Sequence, residues 1–208
     1  YRVAITNLEN YNPVNNAITI RCKENYYDYS LNEYDDIGRL IASYQPLNHL
    51  KSTYNYNALG QLTQTHSPDE GDAWFLYRKD GQIRFSTNSK QWNNKQFSYT
   101  NYDELGRPIE SGVYTDISNT YVDVNYSAPE NTNNATNPFK PALKSIVDKA
   151  DDLNDNNCSE TQSTTYDELT NADISTLSNV SSNYGAPTFL TGNVAKTHND
   201  NTTTYYSY

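Results

Sequence analysis

The chain has 208 residues, room for one or two domains, with a formal net charge of −10 and only 19% charged residues. Without a basic stripe to grip a phosphate backbone or an anionic lipid surface, the composition excludes nucleic-acid binding, and no apolar run approaches the ~18 residues of a membrane helix. Twenty tyrosines against five phenylalanines, within 13% aromatic residues, exclude the disordered class and suit β-structure with wet faces and many turns.

Residues 1–33 read as a β lead-in. Val3 and Ile5 alternate with polar neighbours, Asn12-Pro13 turns the chain, and Ala17-Ile18-Thr19-Ile20 makes a second strand. Tyr26-Tyr27-Asp28-Tyr29-Ser30 has the look of an eroded repeat arm. A chain that starts at Tyr1 and holds no methionine reads as an internal piece of a longer one.

A repeat array is expected over 34–126. Four tyrosines are each followed four residues later by glycine: Tyr34 by Gly38, Tyr56 by Gly60, Tyr77 by Gly81 and Tyr102 by Gly106. Apolar residues follow the glycines at Leu40, Leu62, Ile83 and Ile109. A period between 20 and 50 residues marks a stacked-repeat architecture. Each unit reads as a hairpin: tyrosine enters, Asp35, Asn57 or Asp103 bonds the turn backbone, glycine accepts positive φ, and an aliphatic residue leaves. The return turns are as legible at Gln45-Pro46-Leu47-Asn48 and Ser67-Pro68-Asp69-Glu70-Gly71, with a longer one at 88–95 that holds Trp92. The run Ala73-Trp74-Phe75-Leu76-Tyr77 is apolar throughout, so it should be covered on both faces.

The motif resembles the YD repeat of the RHS protein family, whose signature is tyrosine-aspartate, two variable residues, glycine, a polar and an apolar residue. Tyr34-Asp35-Asp36-Ile37-Gly38-Arg39-Leu40 matches throughout, and Tyr102-Asp103-Glu104-Leu105-Gly106-Arg107 matches up to Pro108. Asn57 and Arg78 stand at the aspartate position of the other two copies, which are degenerate. The resemblance implies a mainly β fold of stacked hairpins forming part of a spiralling sheet or shell. It also implies a secreted or cell-surface protein whose shell, in some members, encloses a toxic C-terminal domain. Nothing here resembles the autoproteolytic aspartate site of such toxins.

Beyond Tyr126 the period breaks. Residues 127–188 read as an acidic insertion, since ten acids against three bases fall in 120–175. Pro141 opens a stretch where Leu143, Ile146, Val147, Ala150 and Leu153 recur at helical spacing, predicting a short helix over 141–153. Thr165-Tyr166-Asp167-Glu168-Leu169 echoes the fourth repeat but has Thr170 for the glycine, and reads equally as a decayed repeat or a capped helix start. A returning hairpin is expected over 189–208, with Asn199-Asp200-Asn201 as its turn. The insertion, 120–188, should lie outside the sheet, and the 113–126 and 189–208 strands should then be neighbours. Repeat units bury their faces against neighbours, so residues 1–208 alone are expected to be unstable.

Candidate chemistry is sparse. His49, His66 and His198 lie in separate segments without metal-ligand spacing. The pairs Asp35-Asp36, Asp69-Glu70, Asp103-Glu104 and Asp151-Asp152 offer carboxylates, yet the first three sit in turns, where aspartate has a structural job. Asp148, Asp151, Asp152 and Asp155 lack the glycine of a calcium loop. Cys22 and Cys158 are compatible with one disulfide or two free thiols. The expectation is a scaffold with no catalytic residue, cofactor or metal. Its partners are the rest of its own longer chain, neighbouring repeats and an enclosed effector domain, with export machinery or a cell-surface partner beyond. The alternative is a surface adhesin binding glycans through tyrosine-rich faces.

Overall fold

A computed structural model of the chain describes residues 30–46, 50–126, 137–180, 190–199 and 201–206. The lead-in strands predicted over 1–29, Cys22 and His49 lie outside them.

Among the described residues, eleven strands form one sheet in which each strand pairs antiparallel with the next in sequence. They are β1 (Leu31–Tyr34), β2 (Leu40–Tyr44), β3 (Lys51–Tyr56), β4 (Leu62–Ser67), β5 (Gly71–Tyr77) and β6 (Ile83–Asn88). There follow β7 (Gln96–Tyr102), β8 (Pro108–Thr115), β9 (Cys158–Tyr166), β10 (Val194–Asn199) and β11 (Thr202–Tyr205). From β1 to β6 short connections make this meander the economical topology, because each return there needs only a turn. The long return between β6 and β7 carries α1 (Ser89–Asn93), opened by a capping box between Asn88 and Gln91.

One face of the sheet is apolar from β5 to β9. Cross-strand registers place Trp74 and Leu76, Phe85, Phe97 and Tyr99, Tyr114 and Cys158 side by side on it. Gly112 makes room for Tyr99, since a Cβ there would stand 3.0 Å from the tyrosine ring and from the Ser159 carbonyl. The chain between β8 and β9 folds over this face and supplies Val122, Phe139, Leu143, Ile146 and Leu153, closing a core around Trp74, Phe85, Phe97, Tyr99 and Tyr114. We call its described part, 116–126 and 137–157, the cover. Asp116 anchors its start: this buried carboxylate accepts the N–H groups of Thr120, Tyr121 and Val122 at 2.9, 2.7 and 2.9 Å. At one end Trp74, Trp92 and Tyr126 meet edge to face, and the Trp92 indole donates to the Asp123 carbonyl at 2.8 Å.

Three expectations are corrected. Residues 120–188 do not lie wholly outside the sheet, because β9 sits between β8 and β10; the strand ending at Thr115 and the C-terminal hairpin are therefore not neighbours. The helix over 141–153 shrinks to α2 (Pro141–Ser145), after which bonds from Ile146 to Leu143 and from Lys149 to Ile146 continue the chain as tight turns. Leu143, Ile146 and Leu153 are still buried, and beyond Ser145 Asp148 accepts the Lys79 N–H of the turn between β5 and β6. The 73–77 run is not buried throughout: Trp74 is buried under the cover, while Phe75 on the opposite face is only half-buried. A further helix, α3 (Asn171–Val180), stands between β9 and β10.

Candidate functional site: a row of turns at one end of the strands

In a meander, alternate turns fall at the same end of the sheet, and here that end collects the Tyr-x-x-x-Gly motifs. The first turn shows the chemistry. The Asp35 N–H donates to the Arg39 carbonyl and the Gly38 N–H to the Asp35 carbonyl, both at 2.9 Å. Asp35 Oδ1 accepts the N–H groups of Ile37 and Arg39 at 3.1 and 2.8 Å, and Oδ2 takes the Arg39 guanidinium at 2.6 Å. These bonds, the Arg39 N–H foremost, hold the Asp35 carboxyl below its usual range. The fourth turn repeats every one of them through Asp103 and Arg107. In the second, Asn57 Oδ1 accepts from Leu59 and Gln61 at 3.0 Å while its amide donates to Gln61 at 2.7 Å. Its asparagine is thus no decay of the motif. Asp pairs with Arg and Asn with Gln, each as a matched lock.

The four glycines take φ of +86°, +80°, +91° and +78° at positions 38, 60, 81 and 106. The registers pair Tyr34 with Leu40, Tyr56 with Leu62 and Tyr77 with Ile83, each at a bulge. In the fourth turn Tyr102 pairs with Pro108, so Pro108 holds the exit position predicted for Ile109. Backbone pairing counts residues, and proline fits because it opens β8.

Successive turns are fastened to one another. The hydroxyls of Tyr56, Tyr77, Tyr102 and Tyr166 donate to the exit carbonyls of the preceding turn, Leu40, Leu62, Ile83 and Pro108, at 2.9, 2.8, 2.7 and 3.0 Å. In the other direction, the residue after glycine reaches forward. Arg39 meets the Asn57 carbonyl at 3.4 Å and stacks over Tyr56, and Gln82 donates to the Gly106 carbonyl at 2.7 Å. Arg107 grips both oxygens of Asp167 at 2.7 and 3.3 Å and stacks 4.3 Å over Tyr166.

That last contact identifies a fifth turn, which the sequence alone does not decide. Tyr166 pairs with Val194, the Asp167 N–H donates to the Asn193 carbonyl at 3.0 Å, and Gly192 takes φ +81° with its N–H on Asp167 Oδ1 at 2.7 Å. The motif's tyrosine, aspartate and glycine come together again across an arm carrying α3, but here the glycine N–H meets the aspartate side chain and Asp167 itself takes φ +69°. Thr170 and Asp173 cap that helix reciprocally, and Asp173 reaches Lys196 of β10 at 2.9 Å and Tyr205 of β11 at 3.2 Å. Burial alone would raise the Asp173 pKa; the Thr170 and Lys196 bonds outweigh it and hold it at about 2.

The remaining candidates stand apart. His66 lies 3.1 Å from Asp72, and His198 bonds Thr203 at 2.7 Å. Asp151 and Asp152 sit in the cover, where Asp152 pairs with Lys149. Cys158 is a free, half-buried thiol beside Tyr99, and burial pushes it up. Among the described residues, no group of three or more His, Cys, Asp or Glu could hold a metal ion, and no helix is long and apolar enough to cross a membrane.

The family model described as RHS Repeat covers residues 34–71, the first two turns and the strands between and after them. No curated protein matches the chain.

Proposed function

We propose that the chain, whose residues 34–71 match the RHS Repeat family model, is a scaffold segment of an RHS/YD-repeat protein and forms a non-catalytic stretch of wall in a hollow β shell. The observation that carries this reading is the same hydroxyl-to-carbonyl bond repeated at four successive junctions. A wall needs interchangeable, laterally fastened units, and an enzyme has no use for them. Of the paired carboxylates, Asp35 and Asp103 are spent on turn N–H groups and guanidinium ions. The full-length protein is then secreted or surface-displayed, and its partners are its own further repeats and an enclosed effector domain. The alternative is a surface adhesin that binds glycans through its tyrosine-rich faces. Electron cryomicroscopy of the protein at its natural full length tests this. The expected result is one continuous antiparallel strip curved around a cavity; a straight rod or a string of separate domains would overturn it.

A further inference from the structure

The third turn departs from the other copies, and it is also where a distant part of the chain lands. Tyr77-Arg78-Lys79-Asp80-Gly81 has arginine where its neighbours have Asp35, Asn57 and Asp103. It therefore lacks the side-chain oxygen that elsewhere accepts the fourth and sixth N–H groups of the motif. Asp80 replaces part of that service, accepting from the Gln82 N–H at 3.1 Å and pairing with Arg78 at 3.1 Å. The backbone closure survives, with Arg78 bonded to Gln82 at 2.8 Å and Gly81 to Arg78 at 3.0 Å. What the turn gains is a visitor. Asp148, from the cover and 69 residues away, accepts the Lys79 N–H at 2.8 Å, and its other oxygen lies 3.3 Å from the Lys79 ammonium. Close by, the buried Arg84 donates to the Ala150 carbonyl at 3.3 Å.

We propose that the third turn is a docking post for residues 137–157, made by giving up the turn's own carboxylate, and that Asp148 is the positioning residue that sets where this segment lies. Apolar burial is non-directional, so Leu143, Ile146 and Leu153 alone do not choose one placement on a broad aromatic face. A carboxylate meeting a single backbone N–H does choose one. An aspartate at position 78 would set a like charge beside Asp148 and spoil the post, so the departure from the motif and the docking contact belong together. The Lys79 ammonium is 90% exposed, and its ion pair contributes little. The directional contact is the backbone one.

Residue-resolved amide exchange on the whole chain tests this. Asp148→Ala should speed exchange of the Lys79 amide on the order of tenfold, the loss of one charge-assisted bond. The Ile146 and Lys149 amides should show the same acceleration, while Gly60 in the second turn stays as it was. Lys79→Ala should leave all of these within about threefold. Asp148→Asn keeps the acceptor and should keep the Lys79 amide protected, giving a folded reference. Arg78→Asp combined with Gln82→Arg should give the turn its own lock and deprotect Ile146 and Lys149. An unchanged Lys79 amide in Asp148→Ala, or a rise of equal size at Gly60, would overturn the proposal.

Discussion

Asp35 and Arg39 work as one unit, the carboxylate organising the turn and the guanidinium both satisfying it and reaching the next turn. Asn57 and Gln61 organise and satisfy their own turn with neutral groups, which makes the two pairs exchangeable as pairs and not as single residues. Asp35→Asn and Arg39→Gln should each lower the urea midpoint, whereas the double substitution should recover most of the loss; additive losses would contradict the matched lock. Acid sensitivity arises from the same kind of residue. Asp173 falls from an ordinary value of 3.8 to about 2 on folding, so its stabilisation is complete above about pH 4 and is lost as pH falls through about 2. Asp35, Asp103, Asp148 and Asp167 shift in the same direction. Denaturation midpoints should therefore drop between pH 4 and pH 2, and Asp173→Asn should flatten that dependence. A midpoint that rose on acidification would exclude these carboxylates as its source.

Within the hairpins, two glycines carry opposite lessons. A Cβ on Gly38 would meet nothing within 4 Å, so Gly38→Ala should cost about 1 kcal/mol from backbone strain alone. Gly112 has ordinary backbone but no room, and Gly112→Ala should displace Tyr99, losing its 2.6 Å bond to Glu110, at about 1–3 kcal/mol. Thermal melts of both variants check this; a neutral Gly112→Ala would mean that Tyr99 is not tightly held. Four hairpins are legible in the sequence because their motifs are contiguous, with tyrosine, turn residue and glycine within five positions. The fifth is not, because the arm separates Asp167 from Gly192, and because β9 is built from Ser, Thr and Gln without the apolar alternation that marks a strand. The matched locks are visible in sequence as residues four apart, but only geometry shows Asn57 answering Gln61.

Across the whole sheet, stability is uneven. The two-layer core spans β5 to β9 under the cover, while β1 and β11 are exposed strands of four residues at the edges of the sheet among the described residues. Amide exchange should accordingly be fastest in β1 and β11 and slowest in β6, β7 and β8; uniform protection would contradict a core so placed. The cover escapes sequence reasoning for a physical reason. Its apolar residues announce burial, yet their partners Trp74, Phe85 and Phe97 are strand residues far away in sequence, and no local pattern names them. A helix-like spacing in 141–153 is the visible trace, of which only Pro141–Ser145 is helical. The C-terminal arm shows the same limit, since its Asp173 latch joins elements 23 and 32 residues apart.

Successive hairpins are fastened turn to turn by tyrosine hydroxyls, and a phenylalanine scan under urea measures that fastening. Tyr56→Phe, Tyr77→Phe and Tyr102→Phe should each cost about 1 kcal/mol, the ordinary worth of one such bond. Tyr54→Phe, on β3 beside Tyr56 and without a hydroxyl partner among the described residues, should cost nothing measurable. Equal losses at Tyr54 and the repeat positions, or no loss at any of them, would contradict fastening by these hydroxyls.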